Sequence, residues 1–248
     1  METLGSGAFK KTVKGIWQGQ QVAIQIHTFY DPARLPREAQ ALRSVNSPHV
    51  AKLLHETAFD YKDRTVPVYI CEFIRGRTLA RVVAEGPIQF SRLIPLAIGI
   101  TRGLLAIHEQ KLVHRDIKPQ NVMVEETGRA VVLDLGIAKH LDKSTVTFGF
   151  NPGTVGWMAP EQCGTDIPVD HRCDLFALAL VIAYCATGHH PFGPGDPETL
   201  QQHILTQDPT RIPEHPSAFQ ELLTRLMEKK PYRRPRRSRD VLEALEAL

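Results

Sequence analysis

The feature that most constrains this chain is a charged octet, His114-Arg115-Asp116-Ile117-Lys118-Pro119-Gln120-Asn121, set between two apolar stretches. A helical pattern ending at Ile107-His108 precedes it. Val122-Met123-Val124 and Ala130-Val131-Val132-Leu133 follow, and then Asp134-Leu135-Gly136. Two short strands joined by a turn containing Gly128 bring Asn121 and Asp134 to neighbouring strand ends. One carboxylate (Asp116) is then able to take a proton, and two oxygen donors (Asn121, Asp134) are able to hold magnesium. With Lys118 close by, the set suits in-line phosphoryl transfer, where positioning and charge neutralisation do most of the work.

This octet resembles the catalytic loop of protein kinases, and Asp134-Leu135-Gly136 resembles their metal-binding triplet. Gly153-Thr154-Val155-Gly156-Trp157-Met158-Ala159-Pro160-Glu161 resembles the substrate-docking end of the kinase activation segment. The resemblance runs from Gly5 to Arg234, with motifs in order. It implies an α+β, two-lobed protein kinase fold: a small antiparallel β-lobe with one regulatory helix and the hinge (1–76), then a mainly helical lobe (77–248). It implies a serine/threonine kinase that moves the γ-phosphate of ATP, with Mg2+, onto a protein hydroxyl. In the implied roles Asp116 is the base, Lys118 steadies the γ-phosphate, Asn121 and Asp134 hold magnesium, and Thr154 bridges Asp116 and Lys118. Met123 floors the adenine opposite Ala23. Asp174 anchors the catalytic-loop backbone, and Arg234 pairs with Glu161.

Composition agrees with a folded chain of this kind. At 248 residues, 42% hydrophobic and 23% charged, it suits two packed lobes. A net charge of +3 is too mild to argue for nucleic acid. Four cysteines without a Cys-x-x-Cys pair indicate neither a zinc site nor a disulfide framework and fit a reducing compartment. No signal peptide is apparent at the start, and the most apolar run, Leu175 to Ala186, is well short of the ~20 residues that span a bilayer. The expectation is a cytoplasmic domain with no membrane span, cut from something longer.

The first lobe departs from the common pattern. Gly5-Ser6-Gly7-Ala8-Phe9-Lys10 reads as a hairpin turn whose glycines let backbone amides approach phosphate, but Lys10 stands at the family's third glycine. Gln21-Val22-Ala23-Ile24-Gln25-Ile26 alternates as a half-buried strand, and Gln25 stands where the family has its phosphate-binding lysine. An amide has donors but no charge. Alternation puts Lys10 on the same strand face as Thr12, the position that roofs the adenine. Kinases named for lacking the usual lysine carry it in a similar loop and also have leucine in the metal triplet. In them the vacated space near the metal triplet can take chloride, and the resemblance implies that Leu135, Gly136 and Ile137 would frame such a site here. Lys10 is then either a relocated ATP-binding lysine or a solvated hairpin residue. The chain is either an active kinase, a pseudokinase that binds nucleotide or scaffolds partners, or an enzyme disabled at Gln25.

Leu35 to Val45 reads as a helix in which Glu38 is the candidate ion-pair glutamate or a surface charge. Glu72 and Ile74 lie in a stretch resembling the inter-lobe hinge, where their backbone groups would meet the adenine edge. Cys71 falls behind the adenine and is expected to pack. Ser91 is read as opening a helix with Leu93, Ala97, Ile100, Leu104 and Ile107 along one core stripe. Ser144, Thr145 and Thr147 sit in a long loop where Arg115 could clamp an added phosphate, or are ordinary loop hydroxyls. The basic run from Lys229 to Arg239 reads as a solvated face or a docking site.

Overall fold

The computed structural model of the chain describes residues 2–6, 10–28, 35–61, 64–133, 155–164, 166–212 and 215–248, without the side chains of 35–38 and 41. Its first lobe is a five-stranded antiparallel sheet in the order β1-β2-β3-β5-β4. The strands are β1 (Thr3–Ser6), β2 (Lys10–Trp17), β3 (Gln20–His27), β4 (Leu53–Tyr61) and β5 (Arg64–Glu72). β2 and β3 are joined through Gln18 and Gly19, both at positive φ (49° and 77°), the two-residue turn whose twist matches a hairpin. Helix α1 (Leu35–Ser44) covers one face of the sheet. A small core forms there from Ala39, Leu53, Tyr69 and Cys71, with Ala23 and Leu42 against it. Cys71 therefore packs.

The chain enters a second sheet at β6 (Gly76–Thr78), which pairs with β7 (Val122–Glu125), itself paired with β8 (Ala130–Val132). Gly76 lies so close to β7 that a Cβ there would overlap the Val124 carbonyl. Helices follow: α2 (Leu79–Val83), α3 (Phe90–Glu109), α4 (Arg172–Thr187), α5 (Pro197–Thr206), α6 (Ser217–Leu226) and α7 (Ser238–Glu246). The expected stripe of α3 is the core face: Leu93, Ala97, Ile100, Leu104 and Ile107 are all buried. α4 is buried on every side from Leu175 to Ala183.

One expectation is corrected. Ser91 does not cap α3; the helix starts at Phe90, and the cap residue Gln89 makes no side-chain bond. The Gln89 carbonyl instead receives both Arg92 N and Leu93 N at 2.9 Å. Among the described residues α3 is the one helix long and apolar enough to cross a membrane by length and composition. Its apolar face is used up in the lobe core, as expected of a central helix in a globular domain.

Candidate functional site

The octet forms the connection from α3 to β7, closing with one 3-10 turn, Pro119–Asn121. Its shape is imposed by α4. Asp174, in the first turn of that helix and 1% exposed, accepts His114 N at 2.8 Å on Oδ2 and Arg115 N at 2.7 Å on Oδ1. Burial alone would push this carboxyl up. The hydrogen bonds from the His108 ring and the His114 amide hold it below the usual carboxylate range instead. Arg115 sits at φ 63°, left-handed backbone that costs about 1–3 kcal/mol in a non-glycine residue. Hydrogen bonds to a charged acceptor are worth about 1.5–3 kcal/mol each, so the Asp174 clamp offsets that strain.

His114 is fully buried. Its Nε2 donates to Leu133 O at 2.8 Å, and its Nδ1 accepts Asp116 N at 3.2 Å. Both nitrogens are thus spoken for by a neutral ring. It is a structural histidine, and the neighbouring carboxylate is left for proton transfer.

The Asp116 carboxylate receives Lys118 Nζ at 3.1 Å on each oxygen. Asn121 Nδ2 reaches Asp116 O at 2.8 Å and Asp116 Oδ2 at 2.9 Å. With its amide nitrogen so committed, Asn121 presents Oδ1, a hard oxygen ligand of the kind magnesium takes. The Asn121 carbonyl accepts Leu133 N at 2.8 Å, so the hairpin sets Asn121 across from the residue that precedes Asp134. Among the described residues no group of three or more His, Cys, Asp or Glu side chains gathers to hold a metal.

In the first lobe, strand register settles which residues share a face. Thr12 pairs with Gln25, Lys10 with His27 and Lys14 with Ala23; Gln25 pairs in turn with Tyr69, and Ala23 with Cys71. Lys10, Thr12, Ala23 and Gln25 therefore lie on the face that α1 covers. Lys10, half-buried, is one step along that face from the Thr12–Gln25 pair. Gly5 pairs with Thr12, and a Cβ there would meet nothing within 4 Å, so packing does not demand this glycine. Glu72 N donates to Lys52 O at 2.9 Å, so that amide is turned away from any adenine edge; its carboxylate accepts Lys52 N at 3.3 Å. Ile74 is buried. Met123 is half-buried on β7, paired with Thr78 and Val131. Gly7, Asp134, Leu135, Gly136, Ile137, Ser144, Thr145, Thr147, Thr154 and the side chain of Glu38 lie outside the described residues.

Gln162 is a site residue that sequence reasoning missed. Buried at 5% exposure, it donates from Nε2 to Arg115 O at 3.2 Å and accepts Ala159 N on Oε1 at 3.0 Å. It ties the docking segment to the catalytic loop. The available signal was its place directly after Ala159-Pro160-Glu161, where a buried amide must find partners. Glu161 meets Arg234 at 2.6 and 2.8 Å, as expected.

Comparison with known proteins accords with this geometry. Residues 1–245 match the family model for the protein kinase domain. A probable serine/threonine-protein kinase of Clostridium perfringens is 31% identical over 222 residues, covering 87% of this chain and 32% of the relative. One from Thermomonospora curvata is 35% identical over 205 residues, 82% of this chain and 26% of the relative. A serine/threonine-protein kinase of Myxococcus xanthus is 30% identical over 269 residues, covering all of this chain and 32% of the relative. The chain spans about a third of the length of the curated relatives it matches.

Proposed function

We propose that this chain, which belongs to the protein kinase domain family, transfers the γ-phosphate of Mg-ATP to serine or threonine hydroxyls of a protein, with Lys10 supplying the charge that Gln25 lacks. The observation that carries the transfer is the Asp116 carboxylate, gripped by Lys118 and Asn121 on a loop that Asp174 pins. A carboxylate so placed accepts the proton of the attacking hydroxyl as its oxygen bonds to phosphorus. The bond from phosphorus to the bridging oxygen breaks, and the electron pair leaves on the β-phosphate. Lys118, bonded to the base, is the cation that steadies the transferring group. Asn121 Oδ1 fits one position on magnesium and Asp134 would supply the other; the ion, when bound, draws charge from the phosphate oxygens.

Lys10 is the best available replacement for the strand lysine. It shares the face of Thr12 and Gln25 in the strand register, whereas Lys11 points to the opposite face. The docking segment favours a protein acceptor over a small molecule, because the small-molecule phosphotransferases that share the fold lack the Gly153-to-Glu161 pattern.

The test is label transfer from γ-labelled Mg-ATP to the domain itself and to a generic basic protein. Transfer that Asp116→Ala lowers by about 10²-fold or more fits a general base held in place. A domain that binds nucleotide but transfers nothing is the pseudokinase, and the proposal fails.

A further inference from the structure

Ser238 has no part in the site as built so far and His108 enters it only as a partner of Asp174, yet His108 touches the site through Asp174 and Ser238 touches it through His108. His108 is one residue from the end of α3, with its side chain 7% exposed. Its Nε2 donates to Asp174 Oδ2 at 2.8 Å, on the oxygen that also accepts His114 N. Its Nδ1 lies 2.5 Å from the hydroxyl of Ser238, the first residue of α7 and 2% exposed. The ring stands edge-on to His171 with centroids 5.2 Å apart. The His108 ring of α3 thus links the Asp174 carboxylate of α4 to the Ser238 hydroxyl of α7. A cavity of about 840 Å³ lined by His108, Ser238, His171 and Arg236 opens beside the pair.

We propose that His108 is a positioning residue for the catalytic loop, orienting the Asp174 carboxylate toward the two loop amides while Ser238 orients His108. A carboxylate that must meet Arg115 N on one oxygen and His114 N on the other needs its rotation fixed. The His114 and Arg115 amides belong to the loop being shaped, so they cannot also be the external reference. His108 is that reference, a third donor from a rigid helix. Without it Asp174 can rotate, the left-handed turn at Arg115 loses its clamp, and Asp116 drifts from its place beside Lys118 and Asn121. A misplacement on the order of 1 Å is enough to cost ~10²-fold in rate.

The activity arm of the test rests on the proposed phosphate transfer; the amide-exchange arm does not. His108→Leu is expected to lower kcat by roughly 10- to 100-fold with KM for ATP within about twofold. It should also speed hydrogen exchange at the His114 and Arg115 amides selectively. His108→Gln keeps a donor at the Nε2 position and should recover most of both readouts. Ser238→Ala should shift both in the same direction by less. Unchanged exchange at Arg115 in His108→Leu would overturn the proposal. So would equal losses in the leucine and glutamine variants with exchange raised throughout the second lobe, which is what a merely structural role produces. If the parent transfers no phosphate but His108→Leu still frees the Arg115 amide, the kinase reading fails and the positioning role stands.

Discussion

Replacing Arg234 by lysine keeps the charge and removes the shape, which makes it a demanding test of how the second lobe is held. All five N–H groups of this guanidinium are used. Nη1 donates to Glu161 Oε1 (2.6 Å) and Arg172 O (3.0 Å), Nη2 to Glu161 Oε2 (2.8 Å) and Lys229 O (3.2 Å), and Nε to Glu228 O (2.8 Å). Neither side chain of the ion pair is accessible, and the guanidinium carbon lies 4.8 Å from the Phe176 ring centre. A lysine has three donors from a single nitrogen, so at least two of these acceptors lose their partner. Each stranded buried acceptor costs about 1–3 kcal/mol. With two of them stranded, Arg234→Lys should destabilise by about 2–6 kcal/mol, a fall of about 4–24 °C in Tm for a chain of this size. Arg234→Met with Glu161→Leu should cost less than the sum of the two single changes, because each single change strands the other partner. Thermal melts and urea unfolding of the parent, Arg234→Lys, the two single changes of the cycle and their double variant measure this. An Arg234→Lys variant melting within about 2 °C of the parent would show that charge alone suffices, and the argument from fork geometry would be wrong.

Two further outcomes are expected. His190 is held neutral, with Nε2 donating to Gly156 O at 2.8 Å and Nδ1 accepting Phe192 N at 3.2 Å, and burial pushes its pKa down to about 4. The folded value is below the unfolded one of about 6.5, so its contribution is whole above pH 6.5 and is lost as pH falls through 4. That contribution is at most about 3 kcal/mol. His190→Gln should flatten urea stability between pH 6.5 and 4, and an unchanged slope would refute it. Gly76→Ala should destabilise by about 1–3 kcal/mol, because the new methyl meets the Val124 backbone, which cannot move cheaply; a Tm equal to the parent's would contradict that.

What was legible in the sequence was whatever chemistry fixes at short spacing. The octet, the Gly128 hairpin and the α3 stripe each depend on local periodicity, and all three stand in the fold. So does the Glu161–Arg234 pair, visible only because the family resemblance supplied its long-range spacing. The Lys10, Thr12 and Gln25 face was legible for the same reason, since strand alternation needs no tertiary knowledge. Contacts that arise only when helices meet were not legible. Nothing near His108 or Ser238 announces their contact, because they are 130 positions apart. The left-handed turn at Arg115 was equally hidden, because arginine carries no bias toward it and Asp174 imposes it from a distant helix. Ser91 misled because a good capping residue sits one position inside the helix start.

The central claim is that a charge from the first hairpin replaces the missing strand lysine, and phosphate transfer by Lys10→Met beside the parent and Gln25→Lys tests it most directly. Removing a preorganised charge from a transferring phosphoryl group should cost about 2.7–4 kcal/mol, or about 10²–10³ in kcat. The parent is expected to be active, Lys10→Met to show that loss with nucleotide binding still measurable, and Gln25→Lys to gain little. A parent as active as its Lys10→Met variant, or one silent until Gln25→Lys restores transfer, would contradict it.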